Sequence, residues 1–430
     1  MSNEDIFILF RNITIFLATI MVVKYFAFLV FAAIFSVRRT FSRYRLLRRE
    51  KNKYGVVPEY KPKVSVIVPA WNEEVGVLKT LRSILANDYQ NIELVVVNDG
   101  STDKTREIVD AFIDECSPKL KKMQRTIKQH YLKNGGKGAA LNHGITHSKG
   151  EIILTIDADS ALAPDAISKL VEHFRDKKVA AAVGQVRVAN VHGRLIGYMQ
   201  QLEYLFGFYF KRAHCAMGAE YIYGGACAAF RREATFDYFG PFDEKNKTED
   251  IELSMRTKFH GLHSVYAEDV ICYTEGASTY LGLITQRLRW KKGRFDTFIH
   301  YRRMFFSWER RHNKPLSWFI LPFALFSEVQ LLLEPIGVTL LVTYSIISGE
   351  YVSLALSMLF VGISYLVVAL FGNSLSLTER LRLIMLWPFT WPLFYIVVWI
   401  EFHALLRSFH MVIRGDSLEW QKWKREGIDS

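Results

Sequence analysis

Four apolar stretches of membrane-spanning length frame this chain, one near its start and three near its end. Residues 13–37 read ITIFLATIMVVKYFAFLVFAAIFSV, with Lys24 as the only interior charge. The run exceeds the roughly 20 residues that cross hydrocarbon. A cleaved signal peptide is the competing reading, and both the length of the run and the basic residues after it argue against that. Near the other end lie residues 316–347, 351–371 and 383–409. The first contains Glu328, Glu334 and Pro335, and the last contains Glu401 and His403. Intramembrane ionisable groups face protein or a wet path. These four can therefore line a polar conduit or bond between helices, and Lys24 is expected to face protein.

The net charge of +12 is concentrated beside these stretches. Residues 38–53 hold eight basic side chains against one acid, and residues 287–314 hold ten against two. The remainder is slightly acidic, which argues against a nucleic-acid-binding domain. Basic runs flanking apolar ones mark cytosolic membrane borders. They put the N-terminus outside and the stretch from residue 38 to about 314 in the cytosol. No part of that stretch is apolar enough to span. One large soluble insert, without internal repeats, makes a transporter a poor reading. The cysteines 116, 215, 227 and 272 form no CxxC pair and read as reduced thiols.

Within the insert, short apolar runs alternate with helical ones. VSVIVPA (64–70) and ELVVVND (93–99) read as buried parallel strands, IKQHYLK (127–133) as a third and EIILTIDAD (151–159) as a fourth. Such a β-α-β-α order implies an α/β fold with a mainly parallel sheet, and ligands gather beyond its carboxyl strand ends. Polar residues fall at those ends: Asn72 and Glu73, Asp99, then Asp157 and Asp159. Any one acid alone suits a helix cap. Three strands delivering polar groups to one edge point to a site. Asp157 and Asp159, two carboxylates of one turn, suit Mg²⁺ or Mn²⁺. There is no Walker A and no GxGxxG. The run Gly135-Gly136-Lys137-Gly138 places a lysine where a loop enters a helix, which suits a diphosphate.

VSVIVPAWNEE, VNDGSTD, GGKGAALN, IDADS, KTEDIE and QRLRW occur in that order. Together they resemble the membrane-integrated processive members of glycosyltransferase family 2, which include cellulose, hyaluronan and poly-N-acetylglucosamine synthases. The resemblance runs from about residue 63 to 294. It implies a GT-A type nucleotide-diphospho-sugar transferase domain between transmembrane helices. The expected layout is an N-terminal span (1–37), a cytosolic transferase domain (38–285), an interface helix with QxxRW (286–314), C-terminal spans (315–411) and a tail (412–430).

The resemblance also implies roles. Pro69, Ala70, Asn72, Glu73 and Asp99 would hold the uridine of a UDP-sugar, with Lys137 near its diphosphate. Asp157 and Asp159 would be the metal-binding DxD pair, the metal being Mg²⁺ or Mn²⁺. Asp250, beside Glu249 in the TED motif, would be the general base, and both are catalytic candidates. Gln286, Arg289 and Trp290 would form the QxxRW motif, with the Trp stacking on the acceptor sugar and the polar members meeting the diphosphate. One base and no second nucleophile implies direct displacement with inversion, hence a β-linked product from an α-linked donor. Taken alone, Thr248-Glu249-Asp250 also reads as a helix start with acids in its first turn, and Trp290 as an interfacial anchor.

KKGRF after QRLRW departs from the usual poly-N-acetylglucosamine synthase run. TED sets the chain apart from the hyaluronan branch, where a GDD-type motif is usual. The expected activity is processive transfer to a growing glycan exported through the chain's own spans, in a multi-pass plasma-membrane protein. The alternative is single transfer to a membrane lipid. Expected partners are the donor, the glycan, membrane lipids and, as the layout allows, a small membrane subunit, with no nucleic acid. UDP-N-acetylglucosamine is the first donor expected and UDP-glucose the second. Tyr223-Gly224-Gly225-Ala226-Cys227 is expected beside the acceptor, its glycines serving close approach of a sugar or a tight turn.

Overall fold

The computed structural model describes residues 3–122, 125–191, 194–372, 375–414 and 427. Most of the tail expected at 412–430 lies outside them. The chain opens with one unbroken helix, α1 (Asn3–Tyr54). This element carries the apolar run and the whole basic run after it. At 1.5 Å per residue it is about 78 Å long, well over twice a hydrocarbon core. Lys24 faces protein as expected, donating to Ser327 Oγ at 3.0 Å. The basic extension grips the α/β domain: Arg39 reaches Asp269 at 2.6 Å, and Glu50 meets Arg175 at 2.9 Å.

The region after α1 alternates β1 (Val64–Ala70), α2 (Val77–Leu85), β2 (Ile92–Asp99), α3 (Thr105–Lys122), β3 (Thr126–Leu132), α4 (Lys137–Thr146) and β4 (Ile152–Thr155). It continues through β5 (Ser160–Leu162), α5 (Ala166–His173), β6 (Val179–Val188), α6 (Leu195–Ala216), β7 (Ala228–Arg231), α7 (Phe236–Phe239), α8 (Glu249–Phe259) and β8 (His263–Thr274). Among the described residues the strands form one sheet in the order β3-β2-β1-β4-β7-β6-β8-β5. β1 pairs in parallel with β2 and β4, β2 with β3, and β6 with β8. β7 runs antiparallel between β4 and β6, and β5 runs antiparallel to β8. The sheet is thus mixed but mostly parallel. β1, β2 and β4 are buried almost throughout because helices cover both faces.

The fourth strand is shorter than the sequence suggests. It ends at Thr155, and Asp157–Asp159 form a turn closed by Ser160 N–H donating to Asp157 O at 3.0 Å. The turn carries the chain from β4 to the far edge, where Ser160–Leu162 pairs with β8.

After β8 come α9 (Tyr280–His300), α10 (Leu321–Ser348), α11 (Val352–Phe371), α12 (Leu377–Leu386) and α13 (Thr390–Arg414). A π-helical turn, Leu316–Ile320, leads into α10, and a 3₁₀ turn at Trp387–Phe389 carries Pro388 between α12 and α13. Among the described residues three helical stretches are long and apolar enough to cross a membrane: Leu316–Ser348, Val352–Phe371 and Leu377–Met411. The span expected at 13–37 falls inside α1, where several side chains lie outside the description.

Candidate active site

The connection from β3 through α4 to β4 passes to the other side of β1, so the strand order reverses between β1 and β4. Open α/β sheets bind ligands beyond the strand ends at such a point. A cavity of about 770 Å³ lies there. Of the residues given donor, metal, catalytic or QxxRW roles, all but Asn72 line it, and of the 223–227 run Gly224, Gly225 and Ala226 do.

Pro69 and Ala70 come from the end of β1, and Asp99 ends β2. The two oxygens of Asp99 accept the N–H groups of Gly135 and Gly136, each at 2.8 Å. Asp99 thereby shapes the loop that enters α4. Burial raises its pKa above the ordinary value, and the two N–H bonds partly oppose this. Asn72 ties the exits of β1 and β2 together. Its Oδ1 accepts from Thr102 N–H at 2.7 Å, and its own N–H donates to Ser101 Oγ at 3.0 Å. It holds φ at +53°, a conformation that Asn tolerates. Glu73 is buried beside it, its N–H donating to Thr105 Oγ1 at 2.8 Å.

Lys137 is the first residue of α4. Its Nζ sits 2.6 Å from Asp157 Oδ1 and 3.1 Å from Glu249 Oε1. Burial pushes its pKa down, but the carboxylates of Asp157, Glu249 and Asp250 together push it up by more, so it stays protonated. Glu249 is shifted upward, by burial first and by its acidic neighbours Asp250 and Asp157, against the pull of Lys137. Asp159 is buried. Ser160 Oγ lies 3.0 Å and Thr274 Oγ1 3.4 Å from its Oδ1.

Glu249 and Asp250 open α8, as the helix-start reading expects, with Thr248 at the N-cap. The Thr248 side chain caps nothing, however. Its hydroxyl and its N–H both donate to Asn246 Oδ1, at 3.1 and 3.0 Å. Asp250 Oδ1 accepts from Ile251 N–H at 2.9 Å. Gly225 makes room here, since a Cβ on it would lie 2.8 Å from Lys137 Nζ and 3.3 Å from Asp250 Oδ2. What approaches this glycine in the structure is the lysine–carboxylate cluster.

Gln286, Arg289 and Trp290 lie on α9, which begins six residues before Gln286. Gln286 Oε1 is buried without a hydrogen bond. Trp290 is half-buried in the cavity wall, with the Arg287 guanidinium 4.3 Å from its ring centroid and the Tyr204 ring at 6.5 Å. Gly293, on the same helix, meets the TED segment: a Cβ there would lie 1.9 Å from Thr248 Oγ1. Glycine therefore seats α9 directly on the start of α8.

The basic run 287–314, expected as a membrane border, also makes ion pairs inside the fold. Arg287, Lys291 and Arg294 are drawn into ion pairs with acids on other helices. Lys291 binds Glu328 at 2.8 Å and Glu401 at 2.7 Å, and Arg294 binds Glu328 at 2.7 Å. Arg287 binds Glu203 at 2.6 Å and Glu401 at 3.3 Å. Glu328 and Glu401 are thus spent on interhelical pairing, whereas His403 is exposed. Lys291, Arg294 and Glu401 also line the cavity, which therefore reaches the long apolar helices. Glu203, Tyr204 and Thr274 belong to its wall too. They lie on α6 and β8, elements outside the four strands legible in the sequence.

Residues 65–239 match the glycosyl transferase family 2 model. They form a family 2 glycosyltransferase domain. The chain is 30% identical over 256 residues to a poly-beta-1,6-N-acetyl-D-glucosamine synthase of Staphylococcus aureus (strain COL), covering 59% of this chain. The match spans 59% of that relative's own length. A synthase of the same name from Staphylococcus epidermidis is 28% identical over 324 residues, 72% of this chain and 75% of the relative. Among solved structures, the mannosyltransferase PcManGT from Pyrobaculum calidifontis, in complex with GDP-Man and Mn²⁺, superposes with a TM-score of 0.54. It is 21% identical and covers 91% of this chain and all of that one. At that identity the likeness is one of fold, and the family 2 domain has the expected GT-A type architecture.

Proposed function

We propose that the chain transfers a sugar from a UDP-sugar to a growing β-linked polysaccharide at the plasma membrane, with inversion, and passes the product toward its own spans. The observation that carries this is the reach of the cavity. One space holds the strand-end acids, Lys137 and Asp250, and also α9 with the charges that α9 shares with α13. The staphylococcal relatives make N-acetylglucosamine the first donor to test.

The residues fit a divalent cation. Asp157, Asp159, Glu249 and Asp250 line the cavity around Lys137, and this acidic excess helps push the Glu249 pKa up. Asp157 and Asp159 offer the hard oxygen donors that Mg²⁺ or Mn²⁺ takes. A bound cation would offset the charge that develops on the departing diphosphate.

The chain's own groups do the rest. Pro69, Ala70 and Glu73 bound the nucleotide end, where Asp99 holds the Gly135–Gly136 loop in shape. Lys137 supplies positive charge next to Asp157. Asp250 takes the proton of the attacking hydroxyl at its carboxylate, a role worth roughly 10²–10⁴-fold. Gln286 offers a buried acceptor for a sugar hydroxyl, and Trp290 a broad apolar face for a ring.

The test is radiolabelled incorporation from a panel of UDP-sugars by the purified chain in lipid, with linkage analysis and sizing of the product. Long β-linked polymer from UDP-N-acetylglucosamine is expected. A single sugar on an extracted lipid would replace this reading with lipid glycosylation, and no transfer from any UDP-sugar would overturn both.

A further inference from the structure

Away from the cavity, three histidines come together on the soluble domain. His130 lies on β3, His143 on α4, and His147 is the residue that follows α4. One ring nitrogen from each can be chosen so that all three lie within 4.8 Å of one another. The rings touch in every pairing, with centroids 5.0, 4.8 and 4.0 Å apart.

We propose that His130, His143 and His147 bind a borderline transition metal of the Zn²⁺ class, clipping β3 to the end of α4. Geometry supports this first. His143 Nε2 and His130 Nδ1 are 3.3 Å apart. Two nitrogens on a tetrahedral Zn²⁺, each at about 2.0–2.1 Å, are separated by about 3.3–3.4 Å. The spacing of this pair therefore needs little adjustment around an ion.

Tautomer comes second. His147 Nδ1 lies 2.8 Å from the His143 carbonyl oxygen, which can only accept. Nδ1 therefore carries the proton, and the lone pair is left on Nε2. Fixing one ring nitrogen on a backbone carbonyl is how metal-ligating histidines are commonly oriented. His147 is exposed, which gives the ion a way in and leaves a fourth position for water.

The donor chemistry separates this site from the cavity. Imidazole selects Zn²⁺, Ni²⁺ or Cu²⁺, whereas the carboxylates near Lys137 select Mg²⁺ or Mn²⁺. The clip closes the connection from β3 to α4, which contains Gly135 and Gly136, the two residues gripped by Asp99. An ion here would stiffen a loop of the cavity without entering it.

The test uses the full chain in detergent, titrated with Zn²⁺ against a colorimetric chelator in excess Mg²⁺, which fills the carboxylate sites. The expected result is one equivalent of Zn²⁺ at micromolar or tighter affinity. His143→Gln and His147→Gln should each weaken it by at least about tenfold. Zn²⁺ should raise the melting temperature of the parent and leave both variants unmoved. Melting without Zn²⁺ shows whether the variants fold, and His147→Gln, at an exposed position, is the safer of the two. Equal Zn²⁺ affinity in parent and both variants would overturn the proposal, as would parental binding no tighter than millimolar. Neither readout depends on transfer activity.

Discussion

Replacing Gly293 with alanine tests whether the seating of α9 on α8 sets the geometry of transfer. The added Cβ would lie 1.9 Å from Thr248 Oγ1, 2.4 Å from its Cγ2 and 2.7 Å from its Cβ. Rotating the threonine about χ1 moves both γ atoms but not the Cβ, and it breaks the hydroxyl's bond to Asn246. To restore even 3.0 Å, the two helices must part by about 0.3 Å with a rotated threonine and about 1.1 Å without rotation. Overpacking of this kind costs about 1–3 kcal/mol. Asp250 is two residues from Thr248, and Trp290 three from Gly293, so the shift separates proposed base from proposed acceptor platform. A 1 Å misplacement can cost about 10²-fold in rate, so turnover should fall by roughly ten- to a hundredfold. UDP affinity should change little, because the proposed nucleotide end lies at the tips of β1 and β2. The assay is initial-rate incorporation of labelled sugar, with UDP binding by calorimetry as the control. Adding Thr248→Gly removes all three clashing atoms, and glycine at an N-cap costs only a few tenths of a kcal/mol. The double variant should recover most of the activity. Full activity in Gly293→Ala, or no recovery in the double variant, would refute the reasoning.

Asp250→Asn should lower transfer by about 10²–10⁴-fold with UDP binding intact, measured by UDP release and calorimetry; near-parental turnover would remove Asp250 from the role of base. Asp159→Ala should abolish the Mn²⁺ dependence of UDP binding, since a cation held by two carboxylates loses one of them; equal dependence in parent and variant would make the pair structural. Trp290→Ala should shorten the polymer on a sizing gel while UDP affinity holds, and unchanged product length would count against a sugar platform.

Much of the first half of the fold could be read directly. β1 and β2 are continuous apolar runs because both their faces are covered, and Asp99 falls at its strand end as expected. β6 was not legible: VAAAVGQVRV is small and unpatterned, and its burial comes from β7 and β8, more than 40 residues away in the chain. Asn72 carries the right polarity in the right place, yet it braces two loops, a distinction set by Ser101 and Thr102 of a different connection. The pairing of the α9 charges was hidden for the same reason. Glu328 and Glu401 lie 37 and 110 residues after Lys291, so no local window shows that this lysine is neutralised. Removing either partner of such a buried pair would cost about 3–5 kcal/mol.

The unbroken α1 has a mechanical consequence. A domain tethered by a loop tumbles independently of its anchor, whereas one bolted to a rigid rod turns with it. Beyond Arg39 the rod continues for 15 residues, about 23 Å, and it is pinned at both Arg39 and Glu50. Where the apolar half lies across a bilayer, its tilt answers to local thickness. Pivoting by about 10° would swing the far end by about 4 Å, so lipid around such an anchor would act as a lever on the α/β domain.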